Sequence, residues 1–279
     1  MNGEDPEREP LPPLLPRLAL AIAALTGLIQ ATVMLVLAAT GLPFGVGVVG
    51  MAALLAYGAA FALCIPRIPQ PPAVGLALLS PPRIAWLAVI LLAWSLILTS
   101  EVDNLVKHVF PVPEDMRAAT TPVPLLPLLL VSVFVYPLTQ ELLFRGALQP
   151  RMIESLGRVR GILFTALLNA VAVSIATFNP WAIAPTVANA LLLGVLRETS
   201  GSLLPPLLLH VFWGLVGVGA AYGAFGIAGF DDLSAAHTPL GWLVLAALFT
   251  GAGLRLCRIT GAVSSGIPPG DRGDDEPVG

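Results

Sequence analysis

Val123-Pro-Leu-Leu-Pro-Leu-Leu-Leu-Val-Ser-Val-Phe-Val-Tyr-Pro-Leu-Thr-Gln140-Glu141-Leu-Leu-Phe-Arg145-Gly146 is an apolar run of membrane-crossing character, closed by a carboxylate and a guanidinium. Charged side chains are costly at the edge of a membrane helix, so they mark a working site or a structural lock. On a helix Glu141 and Arg145 stand four apart and share a face, and pairing them would offset much of that cost. Gln140 points about 100° away from Glu141, onto another face.

The rest of the chain has the same character. Of 279 residues, 56% are hydrophobic and 11% are charged, against roughly a quarter charged in soluble domains. The mean hydropathy is +0.86. These values imply an all-α, polytopic integral membrane protein. A net charge of −3 gives no sign of a nucleic-acid partner, and the apolar composition makes the lipid bilayer the expected surroundings. Cys64 and Cys257 lie in apolar segments and read as packing residues. No spacing typical of zinc ligands occurs.

About eight helices fit the apolar runs. Their expected limits are Leu18–Thr40, Phe44–Cys64, Ile84–Ser100, Val123–Thr139, Gly161–Phe178, Trp181–Leu196, Leu203–Ile227 and Pro239–Cys257. A proline-rich connector spans 65–83, and a polar loop spans 101–121. Residues 1–17 form a polar tail, and the first apolar run, with no cleavage-site pattern, is expected to stay as an anchor. The N-terminal helices and the polar loop fill 18–122, a core unit fills 123–228, the last helix 229–259, and a disordered tail 260–279. With eight spans, 12 of the 14 basic residues fall on the side that holds both termini. The positive-inside rule then makes that side cytoplasmic; the expected location is a bacterial-type plasma membrane. Gly45-Val-Gly47-Val-Val-Gly50 matches a dinucleotide fingerprint by letter, but it lies in an apolar helix with no strand before it. Helix contact accounts for its glycines.

Few polar residues sit inside the apolar runs, and they include Asn169, Asn179, Asn189 and His210. A histidine about seven residues into a span needs a hydrogen-bond partner, whether its role is structural or functional. Pro137-Leu-Thr-Gln140-Glu141-Leu-Leu-Phe-Arg145-Gly146 resembles the first motif of the CAAX prenyl protease and bacteriocin-processing family of intramembrane endopeptidases. Leu192-Leu-Gly194-Val-Leu-Arg-Glu-Thr-Ser-Gly-Ser202-Leu-Leu-Pro-Pro-Leu-Leu-Leu-His210 resembles its third motif. The resemblance covers about residues 123–225.

The resemblance implies an all-helical fold with a cavity between membrane helices. It implies peptide, lipidated protein or membrane-protein partners. In the family a tandem Glu-Glu opens the first motif. The first Glu, with a His on the next helix, activates a water; a later His and an Asn one turn on steady the oxyanion. Here Gln140 takes the first Glu's place and Glu141 the second's. Arg145 and His210 are kept, Asn179 is the best match to the second-motif His, and Gly214 replaces the late Asn. An amide has no useful proton affinity near neutral pH, and loss of a general base costs about 10²–10⁴-fold. Loss of an oxyanion donor costs about 10²–10³-fold more. No cofactor is expected, because two amides are poor metal ligands and only His210 and, at most, Glu141 are left.

Three functional readings follow. One is a family-fold pseudoenzyme that binds a peptide or a partner and hydrolyses little or nothing. Another is a hydrolase with a rearranged site, using Glu141 or His210 as base. The third is a transporter or scaffold, against which the lack of an internal repeat counts. For Asn179 to meet Gln140 and His210, the fourth helix must continue past Arg145 inside the membrane. The apolar run 147–153 favours that continuation.

Overall fold

The fold follows from where the apolar runs turn polar and where prolines and glycines interrupt them. A computed structural model describes residues 14–40, 45–64, 82–110, 124–232 and 237–265. The N-terminal tail, most of the proline-rich connector, the loop beyond residue 110 and the end of the C-terminal tail lie outside the described residues. The helices are α1 (Pro16–Ala39), α2 (Val46–Cys64), α3 (Pro82–Ala93), α4 (Ser95–Val109), α5 (Leu125–Leu156), α6 (Arg158–Thr177), α7 (Ile183–Ser200), α8 (Leu204–Ala221) and α9 (Leu240–Ser265). Among the described residues no strand forms, and eight helical stretches are long and apolar enough to cross a membrane, with α3 and α4 sharing one.

The helix limits depart furthest from the expected ones in α4, α5, α8 and α9. α4 runs on to Val109 because Asp103 and Lys107 pair at i,i+4; polarity there marks the exit from the apolar zone and not the end of the helix. α5 does not stop at Thr139 but continues through the Gln140 motif for 32 residues. That is about 48 Å, well beyond a hydrocarbon core of about 30 Å. α9 continues to Ser265, into the stretch expected to be a disordered tail.

α8 ends at Ala221 rather than Ile227, because the chain then uses positive φ at Gly223, Gly226 and Gly229. That loop is held by the Asp231 carboxylate. It accepts N–H bonds from Phe225, Gly226 and Ile227 at 2.5, 2.7 and 2.5 Å. Desolvation pushes the Asp231 pKa up, but these backbone bonds outweigh it and hold the carboxyl below its usual range.

α5 is α-helical at Leu125–Leu129, Tyr136–Gln140 and Gln149–Leu156. It is π-helical at Leu130–Val135 and Glu141–Leu148. Each π segment precedes a proline, Pro137 or Pro150. Proline lacks the N–H for the carbonyl four residues back and its ring clashes there, so the helix widens one turn earlier.

Of three apolar clusters among the described residues, two pack the helices that carry the site. One joins α1, α2, α5 and α6 through Ala23, Tyr57, Phe144, Leu148 and Leu168. The other joins α3, α7, α8 and α9 through Leu92, Leu196, Leu209, Trp213 and Cys257. Gly50 of the fingerprint look-alike lies where a Cβ would come within 2.5 Å of Val131, so it serves close contact between α2 and α5. Leu28, Leu54, Phe134 and Leu248 face outward. On a soluble protein such exposure would be an interaction patch; on spanning helices it is the lipid-facing surface.

Candidate intramembrane site

α5 and α7 are stitched side by side. Arg145 Nη2 donates to Ala190 O at 3.1 Å, and Gln149 Nε2 donates to Gly194 O at 2.8 Å. Donors four apart on α5 thus meet carbonyls four apart on α7. Arg145 also lies 3.3 Å from Glu141 Oε1, with the two side chains 1% and 0% exposed. The same Glu141 oxygen lies 2.8 Å from His210 Nδ1 of α8. A carboxylate only accepts, so Nδ1 carries the proton in that bond, and in that tautomer the lone pair is on Nε2. His210 sits six residues inside α8, about 9 Å from its start.

His210 forms part of the wall of a cavity of about 420 Å³ that reaches α1, α4, α5, α6, α7 and α8. α5 contributes Leu128, Ser132, Tyr136 and Gln140, a four-residue series kept on one side by the wide π turn. Gln30 Nε2 donates to the Tyr136 hydroxyl at 2.9 Å. Asn189 also lines the cavity, and its buried Oδ1 has no hydrogen-bond partner. Trp213 packs edge-on to His210 with ring centres 6.2 Å apart, and its Nε1–H donates to Ser95 Oγ at 3.2 Å. The cavity rim includes the exposed Thr177 and Ala221.

Gln140 and His210 therefore line one cavity, while Glu141 and Arg145 stand behind its wall. Asn179 is placed elsewhere. It caps the short 3₁₀ turn Pro180–Ala182, where its Oδ1 accepts from Trp181 N at 3.1 Å, and it is not among the residues lining the cavity. α6 offers the cavity Val173, Ala176 and Thr177. Gly214 is a contact point: a Cβ there would lie 2.2 Å from the Ser132 carbonyl oxygen. Real Cβ atoms do not approach so closely, so an asparagine at 214 would force α8 away from the π segment of α5. Arg158 and Glu198 lie 3.5 Å apart and join the start of α6 to the end of α7.

Gln30, Tyr136, Ser132 and Trp213 were not singled out from the sequence. Gln30 is signalled as an amide inside an apolar helix, and Ser132 and Tyr136 by their four-residue steps back from Gln140. The donors facing the cavity are one imidazole with amides and hydroxyls. That set does not fit a catalytic zinc, which takes three imidazole, carboxylate or thiolate ligands. Among the described residues no three His, Cys, Asp or Glu side chains gather into a metal-holding group.

Residues 122–216 match the family model described as Type II CAAX prenyl endopeptidase Rce1-like. No curated protein and no solved structure matches the chain.

Proposed function

Through its α5–α8 core the chain belongs to the CAAX protease and bacteriocin-processing family, and from that premise we propose that it holds a peptide or lipidated chain end in the intramembrane cavity with hydrolysis lost or strongly reduced. One observation carries this reading: among the described residues, none lining the cavity is an acid. Gln140 stands where the family's base would face a water, and its amide can hold that water but cannot take its proton. The α6 wall adds no imidazole. Glu141, paired with Arg145 and His210 and 0% exposed, acts as the structural lock. The basic asymmetry supports an orientation with both termini on the cytoplasmic side of the membrane.

A second reading is favoured by the 2.8 Å bond between Glu141 and His210. A carboxylate that fixes an imidazole at Nδ1 leaves Nε2 poised to accept a proton, the logic of hydrolytic triads. His210 would then be the base and Glu141 its positioning residue.

Gly217 provides the test of binding. It lines the cavity, and a Cβ built on it meets nothing within 4 Å. Gly217→Trp therefore fills the cavity without a backbone clash. A fluorescent prenylated peptide is expected to bind saturably to the wild type in lipid nanodiscs and at least ten-fold more weakly to the variant. Equal binding to both would place the ligand outside the cavity.

A further inference from the structure

We propose that the cavity selects a chain end that carries no charge: an apolar or lipidated peptide finishing in a carboxamide or ester, in preference to the same peptide finishing in a free carboxylate. The inference rests on the reading of the cavity as the site for peptide ends, and adds which ends it takes. Its basis is the chemistry of the wall. Among the described residues, no Lys, Arg, Asp or Glu lines the cavity. The guanidinium behind the wall, Arg145, is 1% exposed and already engaged with Glu141 and the Ala190 carbonyl. Arg145 and Glu141 form an ion pair and so offset each other's charge. A carboxylate brought in beside them would find no partner ion, and an unpaired charge taken out of water is strongly disfavoured.

The uncharged groups call for a ligand that both donates and accepts. The Tyr136 hydroxyl accepts from Gln30 Nε2, which leaves its own proton free to donate into the cavity. Asn189 Oδ1 is buried without a partner and calls for a donor. His210 Nε2 is an acceptor when Nδ1–H is held by Glu141. A primary amide supplies N–H groups to Asn189 or His210 and a carbonyl to Tyr136. A carboxylate supplies acceptors only and sets its charge against two lone pairs. Leu96, Leu128, Val218 and Ala221 add an apolar wall for the chain behind the polar end. The volume of about 420 Å³ suits a single ligand segment, small-molecule sites spanning about 300–1,000 Å³.

The test uses the full-length wild-type protein in phosphatidylcholine nanodiscs at pH 7. Three prenylated tetrapeptides are compared, identical except for a C-terminal carboxamide, methyl ester or carboxylate. Partitioning into empty nanodiscs is subtracted. The carboxamide is expected to bind at least ten-fold tighter than the carboxylate, with the ester, which lacks the charge but also lacks the N–H donors, falling between the two. Asn189→Lys, which places a cation on the cavity wall, is expected to shift that ratio at least ten-fold toward the carboxylate. Equal or tighter binding of the carboxylate by the wild type overturns the selectivity and leaves the binding reading standing. Binding of none of the three overturns both.

Discussion

Replacing Arg145 with methionine tests the lock that holds α5, α7 and α8 together. The guanidinium is buried, pairs with Glu141 at 3.3 Å and donates to Ala190 O at 3.1 Å. Methionine keeps most of the volume and removes both interactions. Glu141 would then retain only the His210 Nδ1–H, and its other oxygen already has no partner. Removing one member of a buried ion pair costs about 3–5 kcal/mol, much of it the penalty of the charge left behind. Neutralising that charge should therefore return stability. We expect Glu141→Gln/Arg145→Met to be more stable than Arg145→Met alone, despite carrying one substitution more. Reversible unfolding in mixed micelles of mild and denaturing detergent, followed by tryptophan fluorescence, measures the four corners of the cycle. Two substitutions whose costs simply add, within about 0.5 kcal/mol, would show that the groups act independently and refute the lock.

Other expectations concern the contacts around this centre. Gln149→Leu removes the second α5–α7 stitch and should cost about 0.6–1.7 kcal/mol in the same assay, the scale of interhelical hydrogen bonds in membranes. Gly214→Asn, the substitution that restores the family's residue, should destabilise by about 1–3 kcal/mol or more through its clash with the Ser132 carbonyl; a stable variant would show that α8 and α5 are not in close contact there. Asp231 has a depressed folded-state pKa, so its stabilisation of the 225–231 loop is present above the usual aspartate range and lost as pH falls through the folded value. Amide exchange at Phe225, Gly226 and Ile227, corrected for intrinsic rates, should accelerate over that fall and already be fast at neutral pH in Asp231→Asn; protection that does not change in either case contradicts the assignment.

Much of this arrangement was legible from residue chemistry alone. Apolar length set the eight spans, and the four-residue step from Glu141 to Arg145 pointed to their shared face. The need of a membrane-depth histidine for a partner pointed to His210, and Glu141 is that partner. Helix ends were less legible where polarity and helix termination come apart. Glu101–Val109 is polar yet helical, with Asp103 and Lys107 paired along the helix and Glu101 held by His237 and Thr238.

The cavity was the least legible part. Its wall depends on how π turns rotate α5, and hydropathy does not report a π turn. Pro137 and Pro150 were the local sign of it. Asn179 shows a competing rule. An asparagine directly before a proline suits an N-cap, and capping is the role it takes here. Asn189 was visible only as an amide in an apolar run, since its place on the cavity wall depends on the packing of α7 against α5.

The central claim is that an amide at position 140 leaves a binding cavity where the family has a hydrolytic one. The most direct measurement is mass spectrometry of a prenylated peptide panel incubated with the purified wild-type protein in nanodiscs, with His210→Ala run in parallel. The expected result is intact peptide, with no product above the His210→Ala background. Cleavage by the wild type that disappears in His210→Ala would contradict the claim and make His210 the base of a working site.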